Sequence, residues 1–193
     1  MELFESPFYK TYIKSFSQGD FESAKKSMLK CIENCEFAID NVRRAVLYSK
    51  MADIYRLTSD LENAEIFYKK SIEIDPDSYL IKLDYADFVG AHLNNLKGAI
   101  TICDDVIANL HLENDERFAR DLSKGYYLLR AHAIRGYYRL LAGFQKASID
   151  DLHEVWIRRN EQESVYSARL CEAFVSSGIE QDISRRYINF ISK

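Results

Sequence analysis

Residues 45–78 carry a pattern that leaves few folds open. Tyr48, Met51 and Tyr55 recur at i, i+3 and i+7, one stripe of a 3.6-residue helix. Ala52 sits beside them, where a methyl lets two helix backbones approach. Leu61, Ala64, Tyr68 and Ser71 recur at i, i+3, i+7 and i+10, a second stripe with its own alanine. Ser59 followed by Glu62 reads as a capping box at the start of the second helix. Pro76, just beyond Ile74, stops that helix, because the residue before a proline disfavours the helical region. An isolated helix pair of this kind cannot bury its apolar faces. It has to stack on neighbours.

The spacing Tyr48, Met51, Ala52, Tyr55, then Ala64, Tyr68, Ser71 and Pro76 closely resembles one tetratricopeptide repeat. The resemblance implies an all-α fold, a right-handed solenoid of about five antiparallel helix pairs. Weaker copies flank the clear one. Tyr85 and Ala86 follow Met51 and Ala52 by 34 residues, whereas Ala99, Cys103 and Val106 follow Ala64, Tyr68 and Ser71 by 35. One inserted loop residue near Asn94-Asn95 accounts for the change of frame. Upstream, Gly19-Asp20-Phe21-Glu22-Ser23-Ala24 resembles the family's inter-helix turn. Downstream, Gly136-Tyr137-Tyr138-Arg139 with Ala142-Gly143-Phe144-Gln145-Lys146-Ala147 resembles another copy, preceded by a long helix near 117–142. A last pair, Tyr166 to Phe174 and Ile179 to Ile191, keeps an apolar face without the motif. The expected organisation is one helical-repeat domain over 1–193. Its clearest repeats are 45–78 and 79–113, and degenerate pairs cover 7–37, 117–158 and 161–192.

Composition agrees with helices joined by short loops: the chain has seven Gly and two Pro in 193 residues. No window approaches the roughly 18 uninterrupted apolar residues of a membrane span. The first residues, Met1-Glu2-Leu3-Phe4-Glu5, lack the basic region of a secretory signal. The expected location is cytoplasmic, with no membrane partner. Cys31, Cys35, Cys103 and Cys171 read as small buried hydrophobes. Cys31 and Cys35 share a helical face, but with no Cys-x-x-Cys and no nearby histidine a metal site is not expected.

No catalytic signature is present. The chain has no glycine-rich phosphate loop, no Gly-x-Ser-x-Gly and no His-Glu-x-x-His, and His153-Glu154 lacks its second histidine. The adjacent carboxylates Asp104-Asp105 and Asp150-Asp151 are splayed by about 100° on a helix and read as solvated faces. The expectation is a non-enzyme with no cofactor and no metal.

What the family resemblance implies is a binding groove on the concave side. Some relatives clamp a C-terminal carboxylate with Lys and Asn one turn apart. Here the matching positions are Ser49 and Asp53, and the next repeat offers Leu83, Asp84 and Asp87, so that ligand is excluded. On family geometry Val46, Ser49, Asp53 and Arg56 line one repeat, and Leu80, Leu83, Asp84 and Asp87 the next. Several aspartates in a groove suit a basic partner segment.

Charge is segregated along the chain. Residues 1–116 carry 13 Lys/Arg against 21 Asp/Glu, and residues 117–193 carry 13 against 9. On a helical wheel Arg117, Arg120, Lys124, Arg135 and Arg139 form one arc, with Leu122, Tyr126, Leu129, Ala133, Tyr137 and Leu140 opposite. The basic arc is a candidate contact for an acidic or phosphate-bearing partner, and the tyrosines add interface-type area. Arg130 falls in the apolar arc and therefore needs a carboxylate partner or a groove. Nucleic acid is disfavoured, since the pI is near 5.6. The expected function is a non-catalytic adaptor for a partner protein or peptide, as a dedicated chaperone or toxin-neutralising protein. A self-associating scaffold that homodimerises through its tyrosines is the alternative.

Overall fold

The computed structural model describes residues 6–35, 40–113, 123–158 and 165–177. Among these residues all regular structure is α-helical, in nine helices. They are α1 (Pro7–Ser17), α2 (Phe21–Cys35), α3 (Asn41–Leu57), α4 (Leu61–Ile74), α5 (Tyr79–Ala91), α6 (Leu96–Leu112), α7 (Lys124–Leu141), α8 (Gln145–Ile157) and α9 (Val165–Ser177). The segment Ile179–Ile191, expected as the second helix of a last pair, lies outside the described residues. The chain forms two compact units, Met1–Ile81 and Lys82–Lys193. In the first, α1 packs on α2, α2 on α3 and α3 on α4; in the second, α7 packs on α6, α8 and α9.

One turn is used four times. Gly19, Ser59, Asn94 and Gly143 all have positive φ, at 73°, 61°, 51° and 84°. Each ends a helix in the left-handed conformation, which costs a non-glycine residue most. The next residue opens the following helix. The amides of Asp20, Asp60 and Phe144 donate to carbonyls five residues back, at 2.9, 2.9 and 2.8 Å. The amide of Asn95 instead donates to Val89, six residues back, at 3.1 Å. The residue inferred from the 34-to-35 change of frame is therefore inside this turn.

Caps follow from the turn and correct two sequence expectations. The cap of α4 is Asp60, whose side chain accepts from Asn63 N at 3.2 Å. Ser59 does not cap, because it occupies the left-handed position. Asp20 and Asn95 cap α2 and α6 in the same way, accepting from Ser23 N at 3.1 Å and Gly98 N at 2.9 Å. The long helix expected near 117–142 begins at Lys124. Ser123 has extended backbone (φ −68°, ψ 154°) and its hydroxyl accepts from Tyr126 N at 2.9 Å. Residues 117–122 lie outside the described residues.

Aligning the turns also shifts the fourth helix crossing by one residue. Ala24, Ala64 and Ala99 each stand four residues after the cap, fully buried. The equivalent in α8 is Ser148 rather than Ala147. Its buried hydroxyl donates to the Gly136 carbonyl at 2.6 Å, which satisfies a polar group at the crossing. Gly136 takes the place of Ala52 and Ala86. A Cβ there would lie 2.9 Å from Asp151 Cβ and 3.1 Å from a Leu170 methyl.

The core of the second unit gathers Ala133, Leu152, Val155, Leu170, Cys171 and Phe174. Cys31, Cys103 and Cys171 are buried free thiols. Cys103 and Cys171 are pushed above the ordinary thiol value by burial, Cys171 to about 11, so both stay protonated and inert. The side chain of Cys35 is outside the described residues.

The crossing at Gly136 gives a direct test. Gly136→Val adds branched bulk against a backbone-anchored Cβ, and overpacking of this kind costs about 1–3 kcal/mol. Valine gains only a few tenths of a kcal/mol over glycine in helix propensity. Urea unfolding should show a net loss of about 1–3 kcal/mol, and an unchanged midpoint would remove the close crossing.

Candidate functional site

Asp151 is the buried centre of the second unit's polar chemistry. It stands on α8 at i+3 from Ser148, with Leu152 and Val155 at i+4 and i+7, so the apolar face of the helix carries it inward. Its side chain is 1% exposed. Oδ1 accepts from His132 Nδ1 at 2.8 Å and from Arg135 Nη2 at 2.6 Å; Oδ2 accepts from Arg139 Nη1 at 2.9 Å. Asp104 on α6, 47% exposed, faces the same guanidiniums. Its Oδ1 accepts from Arg135 Nη1 at 2.6 Å and Arg139 Nη2 at 3.2 Å. Two arginines of α7 are thus shared between a buried and a half-exposed carboxylate.

This arrangement corrects the reading of the basic arc. Arg135 and Arg139 are largely buried and neutralised within the chain, so they present no basic stripe to an outside partner. Asp151 likewise is no solvated face, whereas Asp150 is exposed. Arg117 and Arg120 lie outside the described residues.

Further pairings organise the helices around α7. Arg130 is buried and bonds Asp84 on α5, supplying the carboxylate its position demands. It also donates to Tyr166 Oη at 3.0 Å and stacks on that ring, 4.7 Å from its centroid. Burial acts to lower the Arg130 pKa, but Asp84 overcomes it and the net direction is upward. Asp87 accepts from Tyr138 Oη at 2.6 Å and from Arg169 Nη1 on α9 at 2.6 Å. The Tyr138 ring lies against α5 at Gly90, where a Cβ would fall 2.2 Å from it. Burial, followed by the Asp87 charge, pushes the Tyr138 phenol well above its ordinary value and keeps it a donor. Arg169 completes the group by stacking on Tyr137, 4.0 Å from its centroid.

In the first unit, Asp53 on α3 accepts from Tyr68 Oη at 2.8 Å and from Lys50 Nζ at 3.2 Å, with Arg56 at 3.7 Å. Lys70 and Lys25 lie over the rings of Tyr48 and Tyr55, at 4.4 and 4.2 Å.

The expected groove residues therefore divide. Ser49 is 3% exposed and Leu83 fully buried, so neither lines a groove; their helices turn them into the core. Asp53, Asp84 and Asp87 are each bound to cations or a tyrosine hydroxyl of the same unit and form no free acidic line. Tyr126 is half-buried and edge-on to Tyr127, with centroids 5.6 Å apart. Tyr137 lines an open groove of about 580 Å³ in the second unit. Leu140 and Leu141 continue its α7 wall, Glu172, Ala173, Ser176 and Ser177 form its α9 wall, and Gln145 and Arg169 complete the lining. Leu141 is 53% exposed. Sequence reading did not select Asp104, His132, Asp151, Tyr166 or Arg169, and it took Tyr138, which is buried, as interface-type area. For Asp151 a signal existed, since it shares the spacing of Ser148, Leu152 and Val155. The others are defined by which helices meet.

Among the described residues no group of His, Cys, Asp and Glu could hold a metal ion, and no helix is long and apolar enough to cross a membrane.

Stacked helical hairpins with small residues at each crossing define the class of this fold. Residues 45–78 match the family model of the tetratricopeptide repeat. Solved structures share the fold at low identity. A tetratricopeptide repeat protein from Parabacteroides merdae is 15% identical, with a TM-score of 0.63 over 95% of this chain and 64% of its own. This chain thus spans less than two thirds of that protein. BtubC (BKLC) from P. vanneervenii is 14% identical, with a TM-score of 0.71 over 94% and 75%. A MamA double mutant (RS-1) is 12% identical, with a TM-score of 0.64 over 96% and 90%. No curated protein matches the sequence. Residues 45–78 thus carry a tetratricopeptide repeat, and the chain shares the helical-repeat fold of these solved structures.

The buried network predicts two outcomes. Asp151→Asn leaves two largely buried guanidiniums with one half-exposed carboxylate and should cost about 3 kcal/mol in urea unfolding. Asp104→Asn removes the exposed partner and should cost about 1 kcal/mol or less. Equal costs would contradict the assignment of Asp151 as the centre.

Stability should also depend on pH through His132. The Asp151 carboxylate holds its proton on Nδ1, while Nε2 is buried without a hydrogen-bond partner. Burial lowers its pKa below the ordinary 6.5, and the Asp151 bond only partly opposes this. The unfolded chain therefore binds a proton first as pH falls. The His132 contribution is complete above 6.5 and declines below it. Asp151, held below the ordinary 3.8 because bonds from His132 and Arg135 outweigh its burial, adds a loss of the same sign at lower pH. Thermal melts from pH 7.5 to 5 should fall in the wild type and be flatter in His132→Asn.

Proposed function

We propose that this protein is a non-catalytic adaptor that holds a partner protein in the groove between α7 and α9. The observation carrying this reading is the groove's lining: the exposed Leu141 beside the partly buried Tyr137 and Leu140, next to charges already neutralised inside the chain. Open apolar area of this kind, next to a polar rim, is what a partner surface covers. Tetratricopeptide repeats as a class are protein-interaction modules, which supports the same reading.

Service to one dedicated partner, as its chaperone or as the antagonist of a toxin, is the narrower form of the proposal. Supporting it, the Lys and Asn of the carboxylate clamp are absent, and two of the positions replacing them, Ser49 and Leu83, are buried. The free buried thiols fit a reducing compartment such as the cytoplasm. The neutralised state of Arg135 and Arg139 weighs against a nucleic-acid role, which needs cations free to meet phosphates.

The test is a groove variant that spares the fold. Leu141→Lys with Ser176→Arg places two cations on exposed helical positions. Affinity capture from the native host should lose the specific partner, while circular dichroism and melting stay at wild-type values. Retained capture would put the interface elsewhere. Light scattering that shows a dimer broken by the same variant would favour self-association instead.

A further inference from the structure

We propose that His132 and Asp151 form a proton-sensitive lock between α7 and α8. The neutral ring keeps α8 seated on α7, and a proton taken up at Nε2 releases α8 while α7 stays on α6 and α9.

The ring closes a cluster whose charges are balanced. Asp104 and Asp151 face Arg135 and Arg139, two carboxylates to two guanidiniums. His132 Nδ1 lies 2.8 Å from Asp151 Oδ1 and 3.2 Å from Arg135 Nη2. Arg135 Nη2 donates to that same oxygen, so ring and guanidinium stand side by side on one acceptor. A proton at Nε2 turns the ring into a second cation against Arg135. Arg158 of α8 adds to the repulsion, and the nearby carboxylate of Glu154 on α8 is already bonded to Arg158. Among the described residues α6 and α9 bring no hydrogen bond or ion pair to the ring itself; Asp104 of α6 reaches it through Arg135. The new N–H also lacks an acceptor, since Nε2 is buried without a partner. A buried unpaired donor and an added buried charge are both unfavourable. Burial, together with the Arg135 and Arg158 charges, accordingly holds the ring below 6.5 despite the Asp151 bond.

The distribution of contacts confines the release to α8. This helix packs on α7 and only slightly on α9. When it lifts, Asp151 goes to water, where a carboxylate is stable alone, and Arg135 and Arg139 keep Asp104 on α6. His132 meets water and protonates at its ordinary value of about 6.5. What α8 gives up is the Ser148 bond to Gly136 and the burial of Leu152 and Val155. One proton bound by the open state and refused by the closed one shifts opening by about tenfold per pH unit between the two pKa values. Opening of α8 therefore rises as pH falls below 6.5, while Asp151, held below 3.8, stays ionised.

The test is hydrogen exchange of the full chain, read by mass spectrometry at pH 7.5 and 5.5 with labelling times scaled to the intrinsic exchange rate. Peptides from α8 should lose protection severalfold, up to about tenfold, at pH 5.5, while those from α3, α4 and α6 keep theirs. In His132→Asn, which retains a donor to Asp151 and cannot titrate, α8 protection should be the same at both pH values. Equal loss in every helix, loss in α8 that persists in the variant, or unchanged α8 protection in the wild type each overturns the proposal. If the variant does not fold, nitrogen NMR of the wild type decides. One of the four histidine rings should then hold the Nδ1–H tautomer and titrate below 6.5, and four rings titrating at 6.5 or above overturn the lock.

Discussion

The carboxylate of Asp151, withdrawn from water on α8, fixes how the second unit is built. Among the described residues it is the one group that meets His132, Arg135 and Arg139 of α7 together, and Asp104 of α6 closes the far side of the same guanidiniums. Such a network contributes little net free energy, because removing the charges from water costs nearly as much as their attraction returns. Its effect is on register. A shift of α8 by one residue would swing Asp151 by about 100° and leave two arginines without their buried partner. The apolar contacts of Leu152 and Val155 tolerate small slips; the carboxylate does not. The adjoining crossing of Gly136 and Ser148 is held at the same registration by the Ser148 hydroxyl.

The same pairing decides what the surface offers. The sequence separates an acidic N-terminal part from a basic C-terminal part, and that separation looks like a preparation for charged partners. Inside the second unit much of it is consumed. Asp84 meets Arg130, Asp87 meets Arg169, and Asp104 and Asp151 meet Arg135 and Arg139. The charges bind helix to helix, and among the described residues the groove between α7 and α9 is left with Tyr137, Leu140 and Leu141 and the exposed carboxylate of Glu172. A binder of this kind discriminates by shape and by one or two charges rather than by a broad electrostatic field, so its association should depend only weakly on salt.

What was legible in the sequence was the local geometry. The paired stripes of Tyr48, Met51, Tyr55 and of Ala64, Tyr68, Ser71 gave two helices and their crossing, and the frame change located the extra residue of the Asn94-Asn95 turn. Misreadings arose where two local rules competed. Ser59 has a cap's chemistry, but the turn needs its φ positive, so Asp60 caps. Ala147 matches the crossing by residue type, but counting from the turn puts Ser148 there. The pairings themselves were hidden. A helical wheel places Arg135 and Arg139 on one arc, and nothing in their own helix says that the arc faces Asp104 and Asp151 rather than water. That knowledge belongs to the packing of three helices, which periodicity along one of them does not contain.

Asp53 and Asp87 show how one repeat position can serve two structural ends. They stand 34 residues apart, at the same place in successive repeats, and each accepts from a tyrosine hydroxyl. For Asp53 the tyrosine is Tyr68 on α4, the helix that completes the same hairpin. For Asp87 it is Tyr138 on α7, and Arg169 on α9 reaches the same oxygen. The first bond closes a repeat on itself. The second ties α5 to α7 and α9, beyond the nearest-neighbour contacts that ordinarily hold a stack of repeats together. Arg169 makes this span while lying on the Tyr137 ring, so the residue that draws α9 toward α5 also forms part of the groove lining. The position of the α9 wall, and with it the width of the groove, is thereby coupled to a carboxylate that a partner need never touch.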